Sequence, residues 1–259
     1  MAFLDELLSA LPGDRPVKEV HIGIHWTTVS LGGGPLGEVA RTGIAKTILP
    51  QEGPGHRHEH DHGSVAEAGR LHEQSAHALA HLVRSASGPE RGIGWATINA
   101  LLPPDERLCV ELNARDYLTE HGAGKRVAVV GHFPFVEAVR KAAKQLWVLE
   151  LNPGPGDLPA SAAPDVLPEA DIIAVTSLTL INDTFEGLAA LWRREATVMM
   201  LGPSTPFSPL LFERGVSILS GTIVVDPALA NRCVCQGASF RQVQGVRLLT
   251  MKRDGWAGH

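Results

Sequence analysis

The chain has 259 residues, 44% of them hydrophobic and 20% charged, with a formal net charge of −5. That balance supports a sizeable buried core. It lacks the basic footprint of a nucleic-acid binder, and no apolar run approaches the roughly 18–20 residues of a membrane span. Three cysteines cannot by themselves form a disulfide framework, so a reduced, cytoplasmic protein is expected.

The opening segment, MAFLDELLSALPGD, reads as a short amphipathic helix stopped by Pro12-Gly13. Its acids, in place of an early basic cluster, set it apart from a signal peptide. VKEVHIGIHWTTVSL, residues 17–31, is rich in β-branched residues and predicts a strand. Gly32-Gly33-Gly34-Pro35 predicts a turn, and a second strand over about 38–48 completes a hairpin. Residues 49–63, rich in Gly and His, are expected to form a loop. Val65, Ala68, Leu71, Ala78 and Leu82 fall at helical spacing over 64–85, and GWATINALL places a second helix at about 93–102.

Beyond a polar segment at 113–125 the pattern changes. Strands are expected near 126–131, 146–151, 171–176, 197–202 and 217–225. Each apolar run ends in Gly, Pro, Asn, Ser or Thr and is followed by a helical stretch. That is the sequence form of a buried parallel sheet. The expected fold class is therefore α/β: a mainly parallel sheet domain over 119–259, preceded by a smaller α+β domain over 1–118. Ligands of such sheets bind at the carboxyl ends of the strands, so a cleft between the strand-end loops and the first domain is the expected site.

Gly131-His132-Phe133-Pro134 lies at a strand-to-helix turn. Pro134 suits the first helical position, and open N–H groups there could hold an anion. Neither G-x-G-x-x-G after this strand nor G-x-x-x-x-G-K-[ST] anywhere is present, which argues against a standard NAD enzyme or ATPase. Glu150 nonetheless ends the next strand about 20 residues on, where such folds place the acid that binds ribose hydroxyls. A solvated strand-end residue is the plain alternative. Asn152, in the turn behind it, is a further ligand-binding candidate. Asn182 reads as the N-cap of the next helix, or, with Thr184 and Thr176, as neutral donors and acceptors for a ligand. Pro203, Ser204 and Thr205 fall in a stiff loop after the fourth strand, whose two hydroxyls are candidates to position a ligand or are simply part of a good turn. Asn99 stands in an apolar helix and needs partners there, either backbone or a ligand.

Metal ligands are candidates at two places. His132 and Glu150 form one pair. The other is HRHEHDH, where His56, His58, His60 and His62 alternate with Arg57, Glu59 and Asp61. Imidazole and carboxylate suit Zn, Ni, Cu or Fe, but Gly53, Gly55 and Gly63 leave that loop without the fixed geometry a metal site needs. Weak binding is expected of it. His77 and His81 are four apart, but Ala78 stands where H-E-x-x-H needs Glu. Cys233 and Cys235 form a single C-x-C, a soft-metal pair or two idle thiols.

VVGHFP (129–134), LELNP (149–153), LPEADII (167–173), INDTFE (181–186), LGPSTP (201–206) and GTIVVD (221–226) resemble a family described as putative heavy-metal chelation. GIHWTTV (23–29) and GWATINALL (94–102) are similar to the domain that precedes it there. The resemblance implies an enolase N-terminal-like domain joined to a Rossmann-like one, with a small-ligand or metal-handling role. The expected function is binding or chelation of a divalent transition metal or metallated small molecule. An enzyme using a nucleotide-like ligand and a non-catalytic ligand sensor are the alternatives. Expected partners are a small molecule or metal, with neither nucleic acid nor membrane; homo-oligomerisation is left open.

Overall fold

The computed structural model describes residues 2–34, 37, 39–49 and 64–253. The chain packs as two compact units. The first comprises Met1–Pro103, Pro203–Phe207 and Thr222–Leu248. The second comprises Pro104–Gly202, Ser208–Gly221 and Leu249–His259.

The first unit begins with α1 (Phe3–Ser9), whose Phe3, Leu7 and Leu8 are buried. Strands β1 (Val17–Ile22), β2 (Trp26–Leu31) and β3 (Arg41–Lys46) form an antiparallel sheet in that order. The stretch 17–31 is thus two strands and not the single one expected. Residues between them reverse the chain, with Gly23 N–H donating to the Trp26 carbonyl at 2.8 Å.

The helix expected across 64–85 is also broken. Glu67 and Gly69 take φ of 56° and 88°, left-handed values that no α-helix accommodates. What remains is two 3-10 turns, Leu71–Glu73 and His81–Arg84, around α2 (Ala76–Ala80). The long helix is α3 (Gly88–Leu101), which starts ahead of the expected 93. Ser87 caps it by accepting from Glu90 N, and Pro89 sits in its first turn, where a missing N–H costs nothing. Nearly every side chain of α3 is buried. The helix lies so close to β3 that a Cβ at Gly43 would stand 2.0 Å from the Ala96 carbonyl oxygen and 2.4 Å from Ala100 N. Only glycine allows that approach.

The second unit continues with β4 (Cys109–Val110), α4 (Ala114–His121), β5 (Arg126–Val130), α5 (Val136–Ala142), β6 (Gln145–Glu150), β7 (Leu158–Pro159), α6 (Ala163–Val166), β8 (Ile172–Thr176), α7 (Leu178–Ile181), α8 (Phe185–Ala189), β9 (Thr197–Leu201) and α9 (Pro209–Glu213). Then come β10 (Ile218–Val224), α10 (Pro227–Cys235) and β11 (Val246–Lys252), of which residues 222–248, with all of α10, belong to the first unit. The domain boundary expected at 118/119 falls inside α4. Among the described residues the strands form an eight-stranded sheet, β4-β11-β10-β9-β8-β5-β6-β7.

The five parallel strands expected from the sequence are β5, β6, β8, β9 and β10. Their mutual pairings are parallel. Val127, Val129, Val148, Ile172, Ala174, Met199 and Ile218 make one core cluster. β5, β8 and β9 are buried on both faces, which is why they read as unbroken apolar runs. Among the described residues no helix is long and apolar enough to cross a membrane.

A charged network ties the amino-terminal ends of β5 and β8. Asp171 accepts from Arg126 N at 2.9 Å, Arg126 Nη2 at 3.0 Å and Arg193 Nη2 at 3.0 Å. The Arg126 guanidinium hydrogen bond, helped by its charge, holds the Asp171 carboxyl at about 2, against an ordinary 3.8.

Two expectations follow. Gly43→Ala should lower stability by about 1–3 kcal/mol through overpacking against α3, read as a lower urea midpoint. Asp171 has a folded-state value below its unfolded one. Its contribution is therefore present above pH 3.8 and lost as pH falls through about 2. Urea midpoints of Asp171→Asn measured between about pH 5 and 2 should fall less steeply than those of the parent protein.

Candidate functional site

Strand order reverses at β5. The chain passes from β5 to β6 on one side, and later strands add from β8 on the other. Crevices at the carboxyl ends of such a reversal are where α/β sheets take ligands. Gly131 leaves β5 with φ of 98°, and a Cβ there would press on Thr176 Cγ2 at 3.0 Å. The turn can therefore sit against the end of β8 only as glycine.

Beyond Gly131 the turn is built by a carboxylate. Glu150, the last residue of β6, accepts from His132 N at 2.7 Å through one oxygen and from Leu151 N at 2.9 Å through the other. The loop 152–156 then folds back, and Asp157 closes it: Asp157 N donates to the Gly154 carbonyl, and Gly154 N donates to Asp157 Oδ2 at 3.2 Å. The same Oδ2 lies 3.2 Å from His132 Nδ1. A carboxylate only accepts, so Nδ1 carries the proton. In that tautomer Nε2 keeps its lone pair, on a ring that is 54% exposed. The Asp157 side chain is only 5% exposed, and its Oδ1 is buried with no hydrogen-bond partner among the described residues.

The structure thus brings Gly131, His132, Glu150 and Thr176 to one set of strand ends. Pro134 and Asn152 are exposed in the adjoining loops. Pro134 does not start a helix as expected: Phe135 is the N-cap and α5 begins at Val136. The His132 amide, one of those considered for an anion, is taken by Glu150. Two carboxylates beside the turn also oppose an anion there.

Asn182 and Thr184 are exposed. Asn182 occupies the C-cap of α7, and Thr184 stands at the N-cap of α8. In the amide orientation that satisfies its neighbours, Asn182 donates to Thr179 O at 3.0 Å, Leu178 O at 3.2 Å and Thr184 Oγ1 at 2.7 Å. Thr176 Oγ1 accepts from Leu178 N at 3.3 Å.

Pro203, Ser204, Thr205 and Asn99 belong to the first unit. Asn99 Nδ2 donates to the Ile44 carbonyl at 2.8 Å and the Ser204 carbonyl at 3.3 Å, and Ser204 Oγ accepts from Lys46 N at 2.9 Å. Asn99 Oδ1 and Thr205 Oγ1 are buried without a hydrogen-bond partner among the described residues. Lys46 lies over the Trp26 ring at 5.2 Å, and burial pushes its ammonium below its ordinary value.

His56, His58, His60 and His62 lie outside the described residues. His77 Nε2 donates to the Pro12 carbonyl at 2.7 Å. Asp157 was missed by sequence reasoning. Its signal is faint: an acid closing the Pro-Gly loop that follows Glu150.

Two family models, both described as putative heavy-metal chelation, match residues 113–252 and 4–102. The chain belongs to that family. A crystal structure of a family member of unknown function from Desulfitobacterium hafniense DCB-2 is similar, with a TM-score of 0.75, 27% identity and 96% of each chain covered. Another, from Pyrococcus horikoshii, also of unknown function, gives a TM-score of 0.75 at 17% identity over 97% of this chain and 98% of that one. An uncharacterized protein of Methanocaldococcus jannaschii is 27% identical over 146 residues, 53% of this chain and 56% of that protein. The match thus spans about half the length of that relative.

Glu150→Ala should free the two loop amides it holds. Hydrogen exchange at His132 and Leu151 should speed up by about 10-fold, the equivalent of losing about 1.4 kcal/mol of local protection. Amides in β8 should be unaffected.

Proposed function

We propose that the protein binds a transition metal carried by a small chelating molecule at the carboxyl ends of β5 and β6. His132 Nε2 is the protein ligand, and Asp157 is the carboxylate that orients it. The carrying observation is the Asp157–His132 pair. Metal-ligating histidines typically donate their second ring N–H to a carboxylate, which fixes the ring and raises its basicity.

The donor set decides what kind of metal species fits. Among the described residues no group of three or more His, Cys, Asp and Glu side chains gathers as a metal set. A single oriented imidazole suits a metal that brings most of its own ligands. The unpartnered Asp157 Oδ1 adds an acceptor for a cationic or N–H-bearing part of such a complex. When bound, the metal supplies Lewis acidity; this chain's residues hold it, orient it and balance its charge. In the same reading the second unit is Rossmann-like, which the order β7-β6-β5-β8-β9-β10 supports. The first is enolase N-terminal-like.

A nucleotide-like ligand is the second reading, favoured by the position of Glu150 at the end of the strand beside β5. Against it, both Glu150 oxygens already accept backbone N–H groups.

The test uses untagged protein with His56, His58, His60 and His62 changed to Ala, titrated calorimetrically with the nickel(II)–nitrilotriacetate complex. His132→Ala should remove one binding event, and Asp157→Asn should weaken it by about 10–100-fold. Unchanged affinity in both variants would overturn the proposal. An adenine nucleotide whose affinity falls in Glu150→Gln would support the second reading instead.

A further inference from the structure

The first unit carries a second cluster of chemistry-bearing side chains, built from β1, β2 and α10. Cys235 Sγ lies 3.4 Å from His21 Nδ1. His21 Nε2 lies 3.1 Å from Glu19 Oε2. Asn231 Nδ2 donates to the same Glu19 oxygen at 3.1 Å, and Thr28 Oγ1 donates to Asn231 Oδ1 at 2.8 Å. Asn231 is 6% exposed and Thr28 is fully buried. An accessible thiol, an imidazole and a carboxylate are thus anchored in order to a buried amide and hydroxyl.

The proton positions follow from the partners. Glu19 can only accept, so in the tautomer that bonds to it His21 carries its proton on Nε2. Nδ1 then presents a lone pair to the thiol. This is the arrangement of an activated nucleophile, with a base beside it and a third group orienting the base.

The helix itself does not explain the arrangement. Cys235 closes α10, and a helix C-terminus opposes negative charge. Activation therefore rests on His21. Nor do the two cysteines of the C-x-C act as a pair. Positions two apart on a helix are about 200° apart. Cys233 packs against the cluster of Trp26, Ile44, Val234 and Val243, while Cys235 is exposed.

We propose that Cys235 is a thiol-modification site that forms mixed disulfides with low-molecular-weight disulfides, with His21 as the proton acceptor and Glu19 as its positioning residue. Cys235 sulfur attacks one sulfur of the small disulfide. The incoming S–S bond breaks and a new S–S bond to Cys235 forms. The thiol proton passes to His21 Nδ1 and then to the departing thiolate. The protein thiol is oxidised, and one half of the small molecule leaves as a reduced thiol. Because Cys233 faces the core, the neighbouring cysteine does not resolve the adduct, which accumulates as a single mixed disulfide.

Among the described residues, the titratable and charged groups placed to act on the thiol are His21 and, through it, Glu19, both on β1, and Arg232, three positions before Cys235 on α10, which also supplies the neutral Asn231. The full chain is treated with oxidised glutathione at pH 7, and the adduct is located and timed by mass spectrometry, with N-acetylcysteine as the reference thiol. Cys235 should react about 10-fold faster than the reference, and both His21→Gln and Glu19→Gln should bring it down toward the reference rate. At about pH 10.5, where any thiol is ionised, wild type and variants should react alike. Reaction no faster than the reference at pH 7, or an adduct that forms first on Cys109 or Cys233, overturns the proposal. So does a loss in the variants that persists at the higher pH, since it would reflect access or folding.

Discussion

A parallel sheet leaves the loops at its strand ends without a partner strand to hold them. In the second unit, two of these loops are held by each other. The Glu150 carboxylate accepts one amide from the turn after β5 and one from the turn after β6. Charge-assisted bonds of this kind are about twice as strong as neutral ones. Everything nearby depends on that clamp. It keeps Gly131 in its left-handed conformation against Thr176 and sets where His132 begins. It also directs the loop after β6 back toward Asp157.

The clamp also decides the electrostatics of the strand ends. A strand-to-helix turn in an α/β sheet often serves anions, because its N–H groups point outward. Here the His132 amide is already bonded to a carboxylate, and a second carboxylate stands beside the imidazole. The local field favours a cation or a donor group. A phosphate at this place would meet two like charges in a partly buried setting. A metal complex suits that sign as much as it suits the histidine.

The sheet was legible because β5, β8 and β9 are buried on both faces and so read as unbroken apolar runs. The first unit was less legible. Its signals depend on backbone angles that pattern does not encode: Glu67 and Gly69 break a helical period that Val65, Ala68 and Leu71 otherwise satisfy. The reversal at 23–25 hides inside a β-branched run because no Asn-Gly or Asp-Gly marks it. At the candidate site, Gly131, His132 and Glu150 were readable as strand-end residues. Asp157 was not, since nothing in a Pro-Gly loop says which way it folds back. The Cys235–His21–Glu19 chain was unreadable for a different reason. Its members lie at opposite ends of the sequence, and only the packing of α10 with β1 and β2 brings them together.

Unpartnered acceptors complete the physical picture of each unit. Leaving a buried polar atom without its hydrogen bond costs about 1–3 kcal/mol, a large part of the margin of a marginally stable fold. Asp157 Oδ1 in the second unit and Asn99 Oδ1 in the first are both in that position among the described residues. Asn99 already spends its amide hydrogens on the carbonyls of Ile44 and Ser204, so its orientation is set by structure and its oxygen is what remains. Asp157 likewise spends Oδ2 on the Gly154 amide and on His132. In both residues some atoms of the side chain hold the backbone, and one acceptor is left over. Such an acceptor selects its complement by chemistry: a cation, or a donor carried in on a ligand, recovers the cost, whereas an anion adds to it.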